Sequence, residues 1–138
     1  SWAGAVGLMQ IMPATGEAYG ETDDLTDPEE NIITGTNYLL WLQEQWAEIP
    51  DPEERIKFVL ASYNVGKGHI NDARALAEKY GRDPNRWEDN VARYLAALSD
   101  DRYFNDPVVK HGYCRGEEPV RYVEEILERF NHYKNFAD

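Results

Sequence analysis

The sequence predicts a mainly α-helical domain, and three observations support this fold class. Apolar residues recur at three- and four-residue intervals over several long stretches, which is the period of a helix buried on one face. Aspartate followed by proline precedes two of these stretches, as at the start of many helices. No stretch alternates strictly between apolar and polar residues, so no strand is predicted. The 138 residues are about one domain long and can bury a single core.

The first two predicted helices begin at Asp27-Pro28 and Asp51-Pro52. In each pair aspartate suits the N-cap and proline the first helical position, and two glutamates follow at the positive helix end. The first helix is predicted to end near Pro50 and the second at Gly66. Their predicted inner faces carry Ile32, Ile33, Tyr38, Leu39, Leu42 and Trp46 in the first helix, and Ile56, Val59, Leu60 and Tyr63 in the second.

Three further helices are predicted in the second half of the chain. They cover about residues 68–80, with Gly81 as the stop, then a stretch that begins near Trp87, and finally about residues 118–133. Between them, Tyr103 to Gly116 has no clear period, and this long aromatic loop is predicted to be functional or packed on itself. The predicted inner faces are Ile70, Ala73, Leu76 and Ala77, then Val91, Tyr94, Leu95 and Leu98, and last Val123, Ile126, Leu127 and Phe130.

Composition excludes several classes of partner. The net charge of −12 disfavours nucleic acid, which binds through Lys and Arg. No apolar run approaches the roughly 18 residues of a membrane span. The single cysteine, Cys114, rules out an internal disulfide, and the spacing of His69, His111 and His132 does not suggest a metal site. Without a phosphate-binding glycine loop or a calcium loop, no cofactor is predicted.

The opening stretch, from Ser1 to Pro13, is the first candidate for a functional segment. Its small residues and glycines suit a backbone that approaches something closely. Gln10 stands between the apolar Met9 and Ile11, so its amide must find partners or lose about 1–3 kcal/mol. A ligand amide or the local backbone would both serve, and the residues alone leave these two alternatives open.

Three motifs resemble one enzyme family. They are S-x-A-G-A-x-G-L-M-Q-I-M-P-x-T from Ser1, A-x-Y-N-x-G-x-G from Ala61, and E-P-V-R-Y-V from Glu118. Together they resemble the soluble lytic transglycosylases, lysozyme-like enzymes that cut peptidoglycan. Within that family, Ala73 to Leu76 and Gly112 to Glu117 look most like the membrane-bound F-type branch. The resemblance implies one lysozyme-like helical domain over residues 1–138, without cofactor or metal.

The resemblance also implies a set of site residues. Ser1 would support the catalytic acid, and Met9 and Gln10 would hold an N-acetyl group of the substrate. Tyr63 and Asn64 would line the floor of the cleft. For these two the alternatives are a core aromatic and a turn residue at a helix end.

Two further residues come from the closing motif. Glu118 and Tyr122 lie four residues apart, so they share a helix face and would contact each other or the site. For Glu118 the alternative is a carboxylate that only favours a helix start. Of the two, Tyr122 is the preferred candidate for a site residue.

The implied reaction is non-hydrolytic cleavage of the β-1,4 bond between N-acetylmuramic acid and N-acetylglucosamine, leaving 1,6-anhydro ends. The family's single glutamate, first acid and then base, lies shortly before the position of Ser1, so residues 1–138 are expected to be a domain truncated before it. Weak or no cleavage is therefore expected from residues 1–138 alone. A binding module without catalysis and a hydrolytic muramidase remain alternatives.

The implied partner is the peptidoglycan glycan strand. An F-type parent would also carry a preceding solute-binding-like domain. It would be a periplasmic envelope protein anchored at the outer membrane.

Overall fold

The computed structural model describes residues 27–137 and, for side chains, residues 27–135. Its chain divides into two compact units, Ser1–Gln45 and Trp46–Asp138. The described residues contain helices and turns but no strand, which confirms the mainly α fold class.

The described part of the first unit is one helix, α1, over Pro28–Gln45. Asp27 caps it as predicted, because its Oδ1 accepts the Glu29 amide at 3.0 Å. The prediction that α1 ends near Pro50 is wrong, since the helix ends at Gln45. Leu42 is fully buried, whereas Ile32, predicted on the inner face, is 46% exposed.

The second unit contains five helices within its described residues. They are α2 at Pro52–Val65, α3 at Lys67–Lys79, α4 at Ala92–Ala97, α5 at Asp101–Phe104 and α6 at Glu117–Ala137. Helix α2 packs against α3 and α6, and α4 packs against α3 and α6. Residues 105–116, which connect α5 to α6, form a segment called the strap from here on.

The start of α2 and the end of α3 lie where the sequence predicts them. Asp51 caps α2 by accepting the Glu53 amide at 2.9 Å, with Pro52 in the first turn. Helix α3 is followed by Gly81, whose φ of +78° suits glycine. These boundaries depend on short-range chemistry, which is why sequence predicts them.

Trp46 lies outside α1, in the turn that connects the helix to α2. It is fully buried, and its indole N–H donates to the Ser62 hydroxyl at 2.8 Å. Its ring packs against Phe58 with 5.3 Å between centroids. The sequence placed Trp46 on α1 because its spacing fits, but this buried hydrogen bond fixes it in the second unit.

The prediction of a helix from Trp87 is also wrong, because α4 begins only at Ala92. Residues Trp87–Val91 form a wide turn, with Glu88 extended and Asp89 at a φ of +60°. Trp87 is 4% exposed, packs edge-on against Phe58, and donates its backbone N–H to Glu54 at 2.9 Å. Trp87 is therefore buried in a wide turn instead of lying in the first turn of α4.

Candidate functional site

Tyr63 and Asn64 lie in the last turn of α2, as predicted. Tyr63 is half-buried, one turn after the buried Val59, whereas Asn64 is exposed. Gly66 then ends the helix at a φ of +91°, and its N–H donates to the Ser62 carbonyl at 2.8 Å. The turn thus holds a partly accessible phenol beside an accessible amide.

Glu118 and Tyr122 lie in the first two turns of α6. The side chain of Glu118 is 42% exposed and pairs with Arg115 at 3.3 Å. Tyr122 is half-buried beside the fully buried Val123, and burial raises the pKa of its phenol. A protonated hydroxyl at this position can donate a hydrogen bond at neutral pH.

The packing of α2 against α6 brings together the two helices that carry Tyr63 and Tyr122. Each tyrosine lies close in sequence to a fully buried valine, Val59 or Val123. Both tyrosines are half-buried and therefore lie at the margin of the core.

The strap fixes where α6 begins. Its Cys114 N–H donates to the Leu98 carbonyl at 3.1 Å. Gly116 packs so tightly that a Cβ built on it would lie 1.7 Å from the carbonyl oxygen of Leu95. Only glycine allows the strap to approach α4 this closely, one residue before α6.

A buried carboxylate anchors the other side of the strap. Asp72 on α3 is 2% exposed and accepts the backbone N–H groups of Lys110 at 2.9 Å and His111 at 2.8 Å. The His111 ring lies over Gly68, where a built Cβ would approach it to 2.9 Å. The strap is therefore attached to α3 as well as to α4.

Sequence reasoning missed this role of Asp72, although a signal was present. Asp72 lies four residues before the inward-facing Leu76, so helical spacing places a charged side chain on the buried face. Buried charges are paired or hydrogen-bonded, which would have predicted a partner for this carboxylate. Nothing in the sequence identifies that partner as the strap.

Burial shifts the pKa of two other titratable groups, Cys114 in the strap and His69 on α3. Burial raises the pKa of the Cys114 thiol to about 11, with smaller contributions from Glu118 and Asp72. Burial also lowers the pKa of the His69 imidazole, partly opposed by the nearby Asp72. Both groups therefore favour their neutral forms.

The remaining predicted site residues, Ser1, Met9 and Gln10, lie outside the described residues. Within residues 27–137, no group of three or more His, Cys, Asp or Glu side chains could hold a metal ion. In the same part of the chain, no helix is both long and apolar enough to cross a membrane.

The helices of the described residues and the margin tyrosines on α2 and α6 define a mainly helical domain that supports a partly accessible polar site. A family model described as the transglycosylase SLT domain matches residues 1–86. The chain belongs to this family, whose fold is lysozyme-like and helical.

Several curated relatives share the name "Membrane-bound lytic murein transglycosylase F". The protein of Desulfosudis oleivorans is 43% identical over 131 residues, which cover 95% of this chain and 28% of the relative. For Maricaulis maris the identity is 45% over 128 residues, covering 93% and 27%. For Haemophilus influenzae it is 40% over 133 residues, covering 96% and 27%. The chain spans just over a quarter of the length of these relatives.

Proposed function

We propose that this chain is the glycan-cleaving domain of a peptidoglycan lytic transglycosylase. Together with the acid expected before Ser1, the domain cuts the β-1,4 bond between N-acetylmuramic acid and N-acetylglucosamine and leaves 1,6-anhydro ends. The observation that carries this proposal is the packing of α2 against α6, with half-buried Tyr63 and Tyr122 at the family's motif positions. Membership of the transglycosylase SLT domain family and the names of the relatives support the same function.

The reaction needs one carboxylic acid. The acid protonates the glycosidic oxygen, and the resulting carboxylate then takes the proton of the substrate's C6 hydroxyl as that oxygen attacks C1. No water is consumed. The acid is expected shortly before Ser1, where the motif pattern of the family has it. Glu118 does not suit this role, because 42% of its side chain is exposed and it is ion-paired with Arg115.

The other site residues bind the substrate. Ser1 supports the acid, and Met9 and Gln10 hold the N-acetyl group. Tyr63 and Asn64 line the floor of the cleft, and Tyr122 donates a hydrogen bond from its half-buried phenol. Glu118 lies one turn before Tyr122, and its pair with Arg115 ties the strap to α6.

The substrate and location follow from the proposed reaction. The partner is the peptidoglycan strand, so the protein acts in the cell envelope, on the periplasmic side. The relatives are named membrane-bound and are nearly four times longer than the matched segment. We therefore propose that a solute-binding-like domain precedes this one in the parent and that an outer-membrane anchor holds it.

Glycan recognition is tested at Gln10. Substitution Gln10→Ala is expected to weaken affinity for an N-acetylated oligosaccharide by about 1–3 kcal/mol, because the N-acetyl group of the ligand then loses its hydrogen-bond partner. Calorimetric titration measures the affinity, and thermal unfolding of the same variant measures the fold. If the melting temperature falls and affinity follows only as far as the fold is lost, Gln10 ties down its own loop. An unchanged dissociation constant removes Gln10 from the site.

A further inference from the structure

Three tyrosines form a cluster at the end of α3 away from Tyr63. The rings of Tyr80 and Tyr94 are stacked, with centroids 5.6 Å apart and planes 8° apart. Tyr103 of α5 meets both rings edge-on, at 5.9 Å from Tyr80 and 6.2 Å from Tyr94. We call Tyr80, Tyr94 and Tyr103 the tyrosine cluster. None of these residues belongs to the motifs that carry the proposed reaction.

The cluster presents one accessible ring on a rigid base. Tyr94 is 7% exposed, whereas Tyr80 is 47% exposed. Tyr94 stacks against the Tyr80 ring, and the Lys79 Nζ lies over that ring at 5.8 Å from its centroid, yet nearly half of Tyr80 stays exposed. The Tyr80 backbone is also fixed, because its N–H donates to the Leu76 carbonyl at 3.0 Å. A rigid ring of this kind binds a flat partner at little cost in conformational entropy.

The two cationic side chains that lie beside the rings of the cluster are each paired with a carboxylate. Lys79, whose Nζ lies 5.8 Å from the Tyr80 ring centroid, is bonded to Asp106 at 2.6 Å. Arg102 lies over the Tyr103 ring and donates to the Asp100 carboxylate from Nη2 at 2.6 Å and from Nε at 3.1 Å. The net charge of the chain is −12. This surface therefore has little attraction for a phosphate or a nucleic acid, and a neutral partner suits it better.

A pyranose ring is such a partner. Its axial C–H groups form a flat, weakly electropositive face, and the face of a tyrosine ring is electronegative. The proposed function also supplies a long polymer of N-acetylated sugars. We infer that Tyr80 is a stacking platform for a neutral sugar of the glycan strand, outside the cleft. This inference rests on the proposed function and adds a second contact with the same substrate.

The length of α3 sets the spacing between the two contacts. Thirteen residues at 1.5 Å per residue give about 20 Å between the Tyr63 end and the Tyr80 end. One sugar cannot reach both sites, whereas an extended strand can. The platform should therefore strengthen the binding of long glycans and leave short ones unaffected.

The test compares a hexamer and a dimer of N-acetylglucosamine as probes in calorimetric titrations. Tyr80→Ala removes the platform, and Tyr80→Phe keeps the ring. Tyr133→Ala is the matched control, because Tyr133 is 78% exposed on α6 and lies outside the cluster. We expect Tyr80→Ala to bind the hexamer about two- to twelvefold more weakly, the range typical of one aromatic contact, with the dimer unchanged. Tyr80→Phe and Tyr133→Ala should bind the hexamer as the unmodified protein does.

A second measurement does not depend on the folding of any variant. In the unmodified protein, the NMR signals of the tyrosine cluster should shift on addition of the hexamer and not of the dimer. If these signals do not move and Tyr80→Ala keeps full affinity for the hexamer, the platform is refuted, while glycan binding by the cleft stands. If the unmodified protein binds neither probe, the proposed function fails and the platform with it.

Discussion

Substitution of Gly116 by alanine tests how the strap positions α6. A Cβ at this position would lie 1.7 Å from the carbonyl oxygen of Leu95, whereas ordinary contact begins at 3.4 Å. The obstacle is backbone of α4, so no flexible side chain can move aside. The strap itself must retreat by about 1.7 Å, directly before the helix that carries Glu118 and Tyr122.

Two contributions lower the free energy of unfolding of Gly116→Ala. Overpacking against a rigid neighbour costs about 1–3 kcal/mol, and the short distance here places Gly116→Ala at the upper end. A retreating strap also weakens the 3.1 Å bond from the Cys114 N–H to Leu98, a loss of about 1 kcal/mol. The free energy of unfolding should therefore fall by about 3–4 kcal/mol, and the melting temperature of a chain of this length by about 10 °C.

Gly112→Ala is the matched control, because it changes the same strap without a clash. Gly112 has a φ of +70° and nothing within 4 Å of a built Cβ, so only backbone strain of about 1–2 kcal/mol is expected. Guanidinium unfolding, followed by circular dichroism, measures both variants. If Gly116→Ala costs no more than Gly112→Ala, the strap does not need its close contact with α4, and the reasoning is wrong.

Three further predictions concern Asp72, which holds the strap, and Cys114 within it. Asp72→Ala should lower the free energy of unfolding by about 2–4 kcal/mol, because the backbone N–H groups of Lys110 and His111 both lose their acceptor. Asp72→Asn keeps one acceptor oxygen and should cost less; equal urea midpoints for both variants and the unmodified protein would contradict this. The Cys114 thiol, whose pKa burial raises from 9.0 to about 11, should react with iodoacetamide at pH 8 far more slowly in the native protein than in urea. Stability relative to Cys114→Ser should fall as pH rises from 9.0 to about 11, since the unfolded chain releases the thiol proton first; a flat difference would refute the shift.

The sequence correctly predicted the helix boundaries that depend only on neighbouring residues. The caps at Asp27 and Asp51 and the stop at Gly81 involve only neighbouring residues, so the sequence places them correctly. Trp46 and Trp87 were misplaced because their positions depend on partners far along the chain. Helical period alone cannot show that a tryptophan at a helix end turns inward instead of continuing the helix.

Helical period also assigned some faces wrongly. Phe58 is fully buried although it was absent from the predicted inner face of α2, and Phe130 is 63% exposed although it was predicted to face inward on α6. Which face of a helix is buried depends on its neighbours, which the period does not identify.

Only part of the candidate site could be predicted from the sequence. Motif resemblance predicted Tyr63 and Tyr122 as site residues, and the structure adds that each is half-buried on one of two packed helices. Asp72 was missed because its partners are backbone N–H groups of the strap, more than thirty residues away. Backbone partners leave no side-chain pattern in a sequence, so a structure is needed to find them.

The reaction itself is tested most directly by digesting peptidoglycan in water enriched in oxygen-18. The protein used should extend before Ser1 far enough to include the acid expected there, and mass spectrometry of the released fragments gives the result. A lytic transglycosylase should release 1,6-anhydro ends without heavy oxygen, because the attacking oxygen is the C6 hydroxyl of the substrate. Reducing ends that carry heavy oxygen would identify a hydrolytic muramidase, and binding without any released product would identify a module without catalysis. Either of these results would contradict the proposed function.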